Sequence, residues 1–278
     1  MIESMHKNAG FTVPLLKVGL WSLPWGAYSV LTYFKQYQPF SNIPDIPIAI
    51  DAALSFAMAL VIAFRVNRAY ERWWEARTLW GSLVNVSRNL AVKVKELPEL
   101  NAADRLQMKQ LIVAFCTGLK GHLRNEPQLQ GLPGFEHATT EPKHLPSYIA
   151  GRIYRTFQTW KSEGKLNDQQ IWVLDSEARV LLNVCGGCER IKNTLMSISW
   201  RSFSVQCITI YLLVLPWEMV DDFKYWTVPL TMTIAYFAFA GEGIARYVEE
   251  PFGLEEDHLD LDGMVAGIDE SVSEILGD

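Results

Sequence analysis

Four runs of apolar residues set the organisation of the chain. Residues 18–34 carry no charge and are fenced by Lys17 and Lys35, while residues 46–64 carry one acid, Asp51. Residues 202–217 and 225–241 are again free of charge. Each run is slightly shorter than the ~20 residues a bilayer core asks for, but flanking aromatics and snorkelling lysines extend the reach. Trp200 and Trp217 bracket the third run about 25 Å apart at the helical rise, a separation that suits two interfacial belts. The pattern predicts four membrane-spanning helices. A soluble bundle of four buried helices is the alternative, and it would leave little polar surface to cover them.

Between the second and third runs the period changes. Apolar positions recur at three and four through Ala69, Trp73, Ala76, Leu79, Trp80 and Leu83, predicting an amphipathic helix over residues 66–94. Further helices are predicted over 103–123, 147–160 and 168–190, with a loop containing Pro127, Pro133, Gly134, Pro142 and Pro146. No useful strand-type alternation and no internal repeat are present. After the fourth run, Pro251-Phe252-Gly253 ends the helix and an acidic stretch follows. The chain therefore reads as all-α. It divides into a first membrane hairpin (1–64), a helical cytoplasmic domain (65–201), a second hairpin (202–241) and an acidic C-terminal tail (242–278).

Charge sets the orientation. Arg65, Arg68, Arg72 and Arg77 crowd the exit of the second run, Arg201 precedes the third, and Arg246 follows the fourth. The opposite ends carry Lys35 and Asp45, or Glu218, Asp221, Asp222 and Lys224. The positive-inside rule then puts both termini and residues 65–201 in the cytoplasm. Hydrophobic residues make up 49% and charged residues 20%, too apolar for an ordinary soluble chain and too charged for one wholly in the membrane. A net charge of −6 argues against nucleic-acid binding. Residues 1–16 show no small-residue cleavage site, so no removable signal peptide is expected.

Candidate chemistry is sparse. Cys185-Gly186-Gly187-Cys188 has redox or half-zinc spacing, but none of the five histidines completes a zinc motif. Helix packing permitted by the two glycines is the preferred reading. A lone Glu255-x-x-His258 is one half of a di-metal pattern without its other half, and the acidic run does not follow an EF-hand. No phosphate-cradling loop or nucleophile elbow is present. No metal, no cofactor and no enzymatic activity are expected.

The second run is more informative. Phe56, Leu60 and Phe64 recur every fourth residue and form one stripe of a helix, beside the small residues Ala57, Ala59 and Ala63. Such a stripe is ordinarily packing or lipid-facing surface; a pore lining is the sharper reading. An acid within a span normally faces water or a partner. Asp51 therefore either stands in a cavity or marks a span that starts later, in the outer interface.

Several blocks resemble the bestrophin family, especially its prokaryotic members. The most specific is Arg68-Ala69-Tyr70-Glu71-Arg72-Trp73-Trp74-Glu75-Ala76-Arg77, followed by Leu79-Trp80-Gly81. Leu83-Val84-Asn85-Val86-Ser87-Arg88-Asn89-Leu90, Gly187-Cys188-Glu189-Arg190-Ile191 and Glu250-Pro251-Phe252-Gly253 follow in family order. The resemblance implies a homopentamer in a prokaryotic plasma membrane, in contact with lipid, with one axial pore for small ions and no nucleic-acid partner. It also implies that the second membrane helix lines a hydrophobic neck at i, i+4 and i+8, which the anchor Arg72-Trp73 maps onto Phe56, Leu60 and Phe64. A second constriction at the cytoplasmic exit would come from near Gln169, Gln170 or Ile171. On a pore-lining helix Asp51 would stand about 7 Å above Phe56 and form an outer acidic ring; pairing with Lys35 or capping the helix is the alternative. Two departures from the family pattern stand out. His258 replaces an acid of the calcium clasp of animal members, which argues against calcium gating, and prolines expected after Ile191 are missing. Family members include anion and cation conductors, so the sign of the ion stays open, and a pore-free membrane scaffold or enzyme is the competing class.

Overall fold

The computed structural model describes residues 13–34, 47–97, 99–136, 138, 142–255 and 257–277, with side chains from residue 18 onward and excepting Ile48. Lys35 and Asp45 lie outside these residues. The described residues are helical or irregular, without strands. Eight α-helices follow in order: α1 (Val13–Tyr33), α2 (Ile48–Lys95), α3 (Ala102–Leu123), α4 (Leu145–Ser162), α5 (Asp168–Asn193), α6 (Ile198–Phe223), α7 (Thr227–Glu249) and α8 (Leu261–Leu276). A short 3-10 turn, Lys224–Trp226, joins α6 to α7. They form two compact units: residues 1–71 with 196–249, and residues 72–195 with 250–278.

Two features differ from the sequence expectation. The second apolar run and the helix expected over 66–94 are one continuous 48-residue helix, α2. The switch from apolar to charged residues at Arg65 changes the solvent the helix suits, not its backbone preference, because no proline intervenes and the residues are good helix formers. The acidic tail, moreover, contains α8. Its buried Val265, Ile268, Val272 and Leu276 recur at helical spacing, and Asp260 caps it by accepting from the Gly263 N–H at 2.8 Å.

In the first unit, α1 packs mainly on α7 and α6 on α7. Close approach is literal at Gly26, where an added Cβ would sit 2.6 Å from Met232 Sδ, and at Gly241, where it would meet Ile62 at 2.9 Å. The Trp217 indole N–H donates to the Tyr28 hydroxyl at 2.6 Å, and that hydroxyl donates to the Leu213 carbonyl at 2.9 Å. Pro24 and Pro216 sit inside α1 and α6, a placement membrane helices tolerate. The most apolar 18-residue window of α2 has a mean hydropathy of 1.9, yet only 6% of it is buried within the chain. Water would not tolerate that surface; hydrocarbon does. Leu20, Trp21, Leu31, Tyr225 and Phe237 are likewise exposed.

The second unit has a conventional core built on Trp80, Leu83, Leu90, Met108, Ile112, Phe115, Phe157 and Trp160. Capping boxes start α3 (Asn101 with Asp104) and α5 (Asn167 with Gln170). Asp104 also accepts from the Trp160 indole at 3.1 Å and from Lys165 Nζ at 2.9 Å, tying the start of α3 to the end of α4. Burial raises the pKa of this carboxyl, but the Lys165, Asn101 and Trp160 donors outweigh it and hold the group below its ordinary range. On α8, Asp262 accepts from Lys120 of α3 and from Arg124, the residue that caps the end of α3, both at 2.7 Å.

Candidate functional site

The specific sequence block on α2 has a structural cause. Arg72, Glu75 and Leu79 lie on one face of the helix and all meet the last turns of α5. Arg72 donates to the carbonyls of Ile191 (2.6 Å) and Thr194, satisfying acceptors that the helix end leaves open. Glu75 pairs with Arg190, and Leu79 fills the space above Gly187, where an added Cβ would sit 2.8 Å from its methyl. Trp73 donates to the Asp257 carbonyl at 3.2 Å, while Ala76, Trp80 and Leu83 are fully buried. The block is a docking face for α5, not a catalytic motif. Cys185 and Cys188 are free, buried thiols whose pKa burial pushes up to about 12, so neither is an active thiolate. Of the two glycines between them, only Gly187 serves close packing. His258 is occupied in the Pro-Phe-Gly turn, where its Nδ1 accepts from the Glu255 N–H at 3.0 Å.

The membrane portion of α2 presents two faces. Leu54, Met58 and Ile62 pack against the cluster formed by α6 and α7. Phe56, Leu60 and Phe64 occupy the other side and stay exposed, at 71%, 44% and 52%. Helical geometry turns Asp51 about 180° from Leu60, onto the packed side. Its Oδ1 is buried without a hydrogen-bond partner among the described residues. The fold thus brings the three stripe residues together and separates Asp51 from them. Of the aperture candidates, Gln169 is exposed. Gln170 is used in the capping box of α5, and Ile171 packs on the core.

Just past Phe64, Arg65 is fully buried and begins a charge cluster that sequence reading had used only for orientation. Its Nη2 donates to Glu249 Oε2 at 2.7 Å, and its Nε lies 3.5 Å from Glu242 Oε2. The other oxygen of Glu249 accepts from Arg201 at 3.0 Å and from the Met196 N–H at 2.9 Å. Glu242 accepts from the Ser204 hydroxyl at 3.0 Å. The cluster joins α2, α6 and α7 within the first unit.

Fold and surface together define an all-α integral membrane protein with an unpartnered apolar stripe on its longest helix. The sequence model of the bacterial and fungal bestrophin proteins matches residues 24–274, and the chain belongs to the bestrophin family. A voltage-dependent anion channel-forming protein of Ralstonia nicotianae is 30% identical over 233 residues, covering 81% of this chain and 76% of the relative. One from Mesorhizobium japonicum is 31% identical over 226 residues, covering 80% and 72%. A bacterial bestrophin homologue from Klebsiella pneumoniae superposes with a TM-score of 0.86 at 24% identity, covering 94% of this chain and 100% of that one. These relatives carry channel names.

Proposed function

We propose that the chain is one subunit of a homopentameric channel that passes small monoatomic anions such as chloride through a hydrophobic neck lined by Phe56, Leu60 and Phe64. One observation carries this reading: α2 packs on its own unit with one face and leaves three large apolar side chains in register on the other. A single helix cannot enclose a pore, so closed rotational symmetry supplies the remaining walls. Five such stripes would form stacked apolar rings, which control conduction by wetting and dewetting. The anion-channel names of the relatives favour anions, and the resemblance noted in the sequence favours five subunits. Gln169 is the side chain left available for a second constriction. Native mass spectrometry should give five chain masses, and reconstituted protein should release chloride from liposomes. A stable monomer without flux would favour a pore-free scaffold.

Cation conduction is the second reading, resting on the outer acids Glu218, Asp221 and Asp222 and on Asp51. The turn of α2 weighs against a ring of Asp51 at the axis. Asp51→Asn is accordingly expected to leave the permeability ratio unchanged at low ionic strength, where charge effects are largest, and to alter oligomer yield instead. A clear shift toward anions would return Asp51 to the vestibule. Pairing of Asp51 with Lys35 lies outside the described residues.

For topology, the reading has four passes, with both termini and residues 65–201 cytoplasmic in a prokaryotic plasma membrane. In a Cys207→Ser background, Ser41→Cys (outside the described residues) should react with an impermeant thiol reagent added to intact spheroplasts. Ser162→Cys, at the exposed end of α4, should stay unlabelled until the cells are opened. The reverse pattern would invert the orientation, and labelling at both positions would break the four-pass reading.

A further inference from the structure

The second unit gathers three ligand-type side chains that no sequence motif announced. His122 lies in the last turn of α3, His144 is the N-cap of α4, and Glu189 lies near the end of α5. His122 Nε2 is 2.6 Å and His144 Nε2 2.7 Å from the same oxygen, Glu189 Oε1, and the three ligand atoms lie within 4.8 Å of one another. The side chains are 21%, 38% and 26% exposed, so the cluster is held by the fold yet reachable by solvent. Three helices converge to supply one donor each.

We propose that His122, His144 and Glu189 form a binding site for a zinc-class divalent transition metal, one ion per chain. Two imidazole nitrogens and one carboxylate are a donor set that zinc accepts, with water in the fourth position. Tetrahedral ligands at about 2.0–2.2 Å from the ion stand roughly 3.3 Å from one another. The two hydrogen-bonded distances therefore need to open by less than an ångström, and the two imidazole nitrogens, up to 4.8 Å apart, need to close by roughly 1.5 Å, to admit the ion. Magnesium and calcium, which prefer all-oxygen shells, fit poorly.

The hydrogen bonds define what loading costs. The Ser147 N–H donates to His144 Nδ1 at 3.1 Å, so the neutral, metal-free ring carries its proton on Nε2 and donates it to Glu189. A metal on Nε2 requires that proton to move to Nδ1, where it faces the Ser147 N–H and breaks the cap of α4. Losing a cap of ordinary strength weakens binding by about fivefold. Lys192 opposes the ion further, because its Nζ is anchored on the His122 carbonyl at 2.8 Å and on Asn125 at 2.6 Å, near Glu189. Glu189 favours it. Its Oε1 already lies against the Nε2 atoms of both rings, so one carboxylate oxygen stands where the two imidazoles converge. Binding therefore couples the ends of α3 and α5 to the start of α4.

The test is a zinc titration of tag-free, EDTA-treated full-length protein by isothermal calorimetry, with magnesium as control and size-exclusion chromatography to verify each variant's assembly. His144→Asn removes the ligand and retains a good N-cap residue; His122→Gln removes the other nitrogen. The expected result is one zinc per chain in the wild type, an affinity loss of more than about 100-fold in either variant, and no response to magnesium. Cobalt should give the absorption of a four-coordinate site in the wild type only. Unchanged zinc binding in both variants would overturn the assignment. So would the absence of wild-type binding up to millimolar zinc, which would leave the triad as hydrogen bonds between three helices.

Discussion

Truncation of Leu60 to alanine should raise single-channel current by a factor of two or more, in channels that assemble normally. Leu60 is the middle residue of the exposed stripe on α2. In a five-fold ring one substitution removes five side chains at the same height, so the constriction widens all round and wets more readily. Phe64→Ala should act in the same direction. Neither residue contributes to the apolar cluster between α2, α6 and α7, where Leu54, Met58 and Ile62 do the packing. The expected loss of stability is correspondingly small. Wild-type currents from both variants, with oligomers intact, would mean that the stripe faces lipid.

Arg65→Ala should abolish recovery of folded oligomer. Arg65 and Glu249 have no exposed side-chain surface, and Glu242 has 5%. Removing the guanidinium leaves buried carboxylates without their main partner, and breaking a buried ion pair in this way costs ~3–5 kcal/mol. Glu249 would keep Arg201 and the Met196 N–H. Arg65→Lys retains the charge but not the planar fork that reaches both glutamates, so it should assemble with a reduced melting temperature. Fluorescence-detected size-exclusion chromatography with a thermal ramp reads both outcomes. Wild-type recovery of Arg65→Ala would show that the cluster is not needed to join α2 to α6 and α7.

What could be read from the sequence followed from signals that act locally. A charge-free run predicts a membrane helix because each of its residues must suit hydrocarbon, whatever its neighbours in space. The helical period of Ala69, Ala76, Trp80 and Leu83 likewise reports burial directly, and those four side chains are fully buried. The Phe56/Leu60/Phe64 stripe was visible for the same reason. What escaped was nonlocal. The carboxylates of α8 hid an amphipathic helix, since Asp262 reads as solvated until Lys120 and Arg124 are brought beside it. Glu249 reads as part of an acidic tail, although donors from Arg65, Arg201 and Met196, on distant segments, converge on it. His122 and His144 stand 67 and 45 residues from Glu189, so no spacing rule could join them. The side of α2 that Asp51 occupies is legible in the sequence, since counting turns to Leu60 places it across the helix from the stripe.

The central claim is an anion-conducting pore, and the most direct measurement is the reversal potential of purified protein in a planar bilayer across a potassium chloride gradient. The account predicts channel currents that reverse close to the chloride equilibrium potential. Reversal close to the potassium equilibrium potential, or no current from assembled oligomers under any applied voltage, would contradict it.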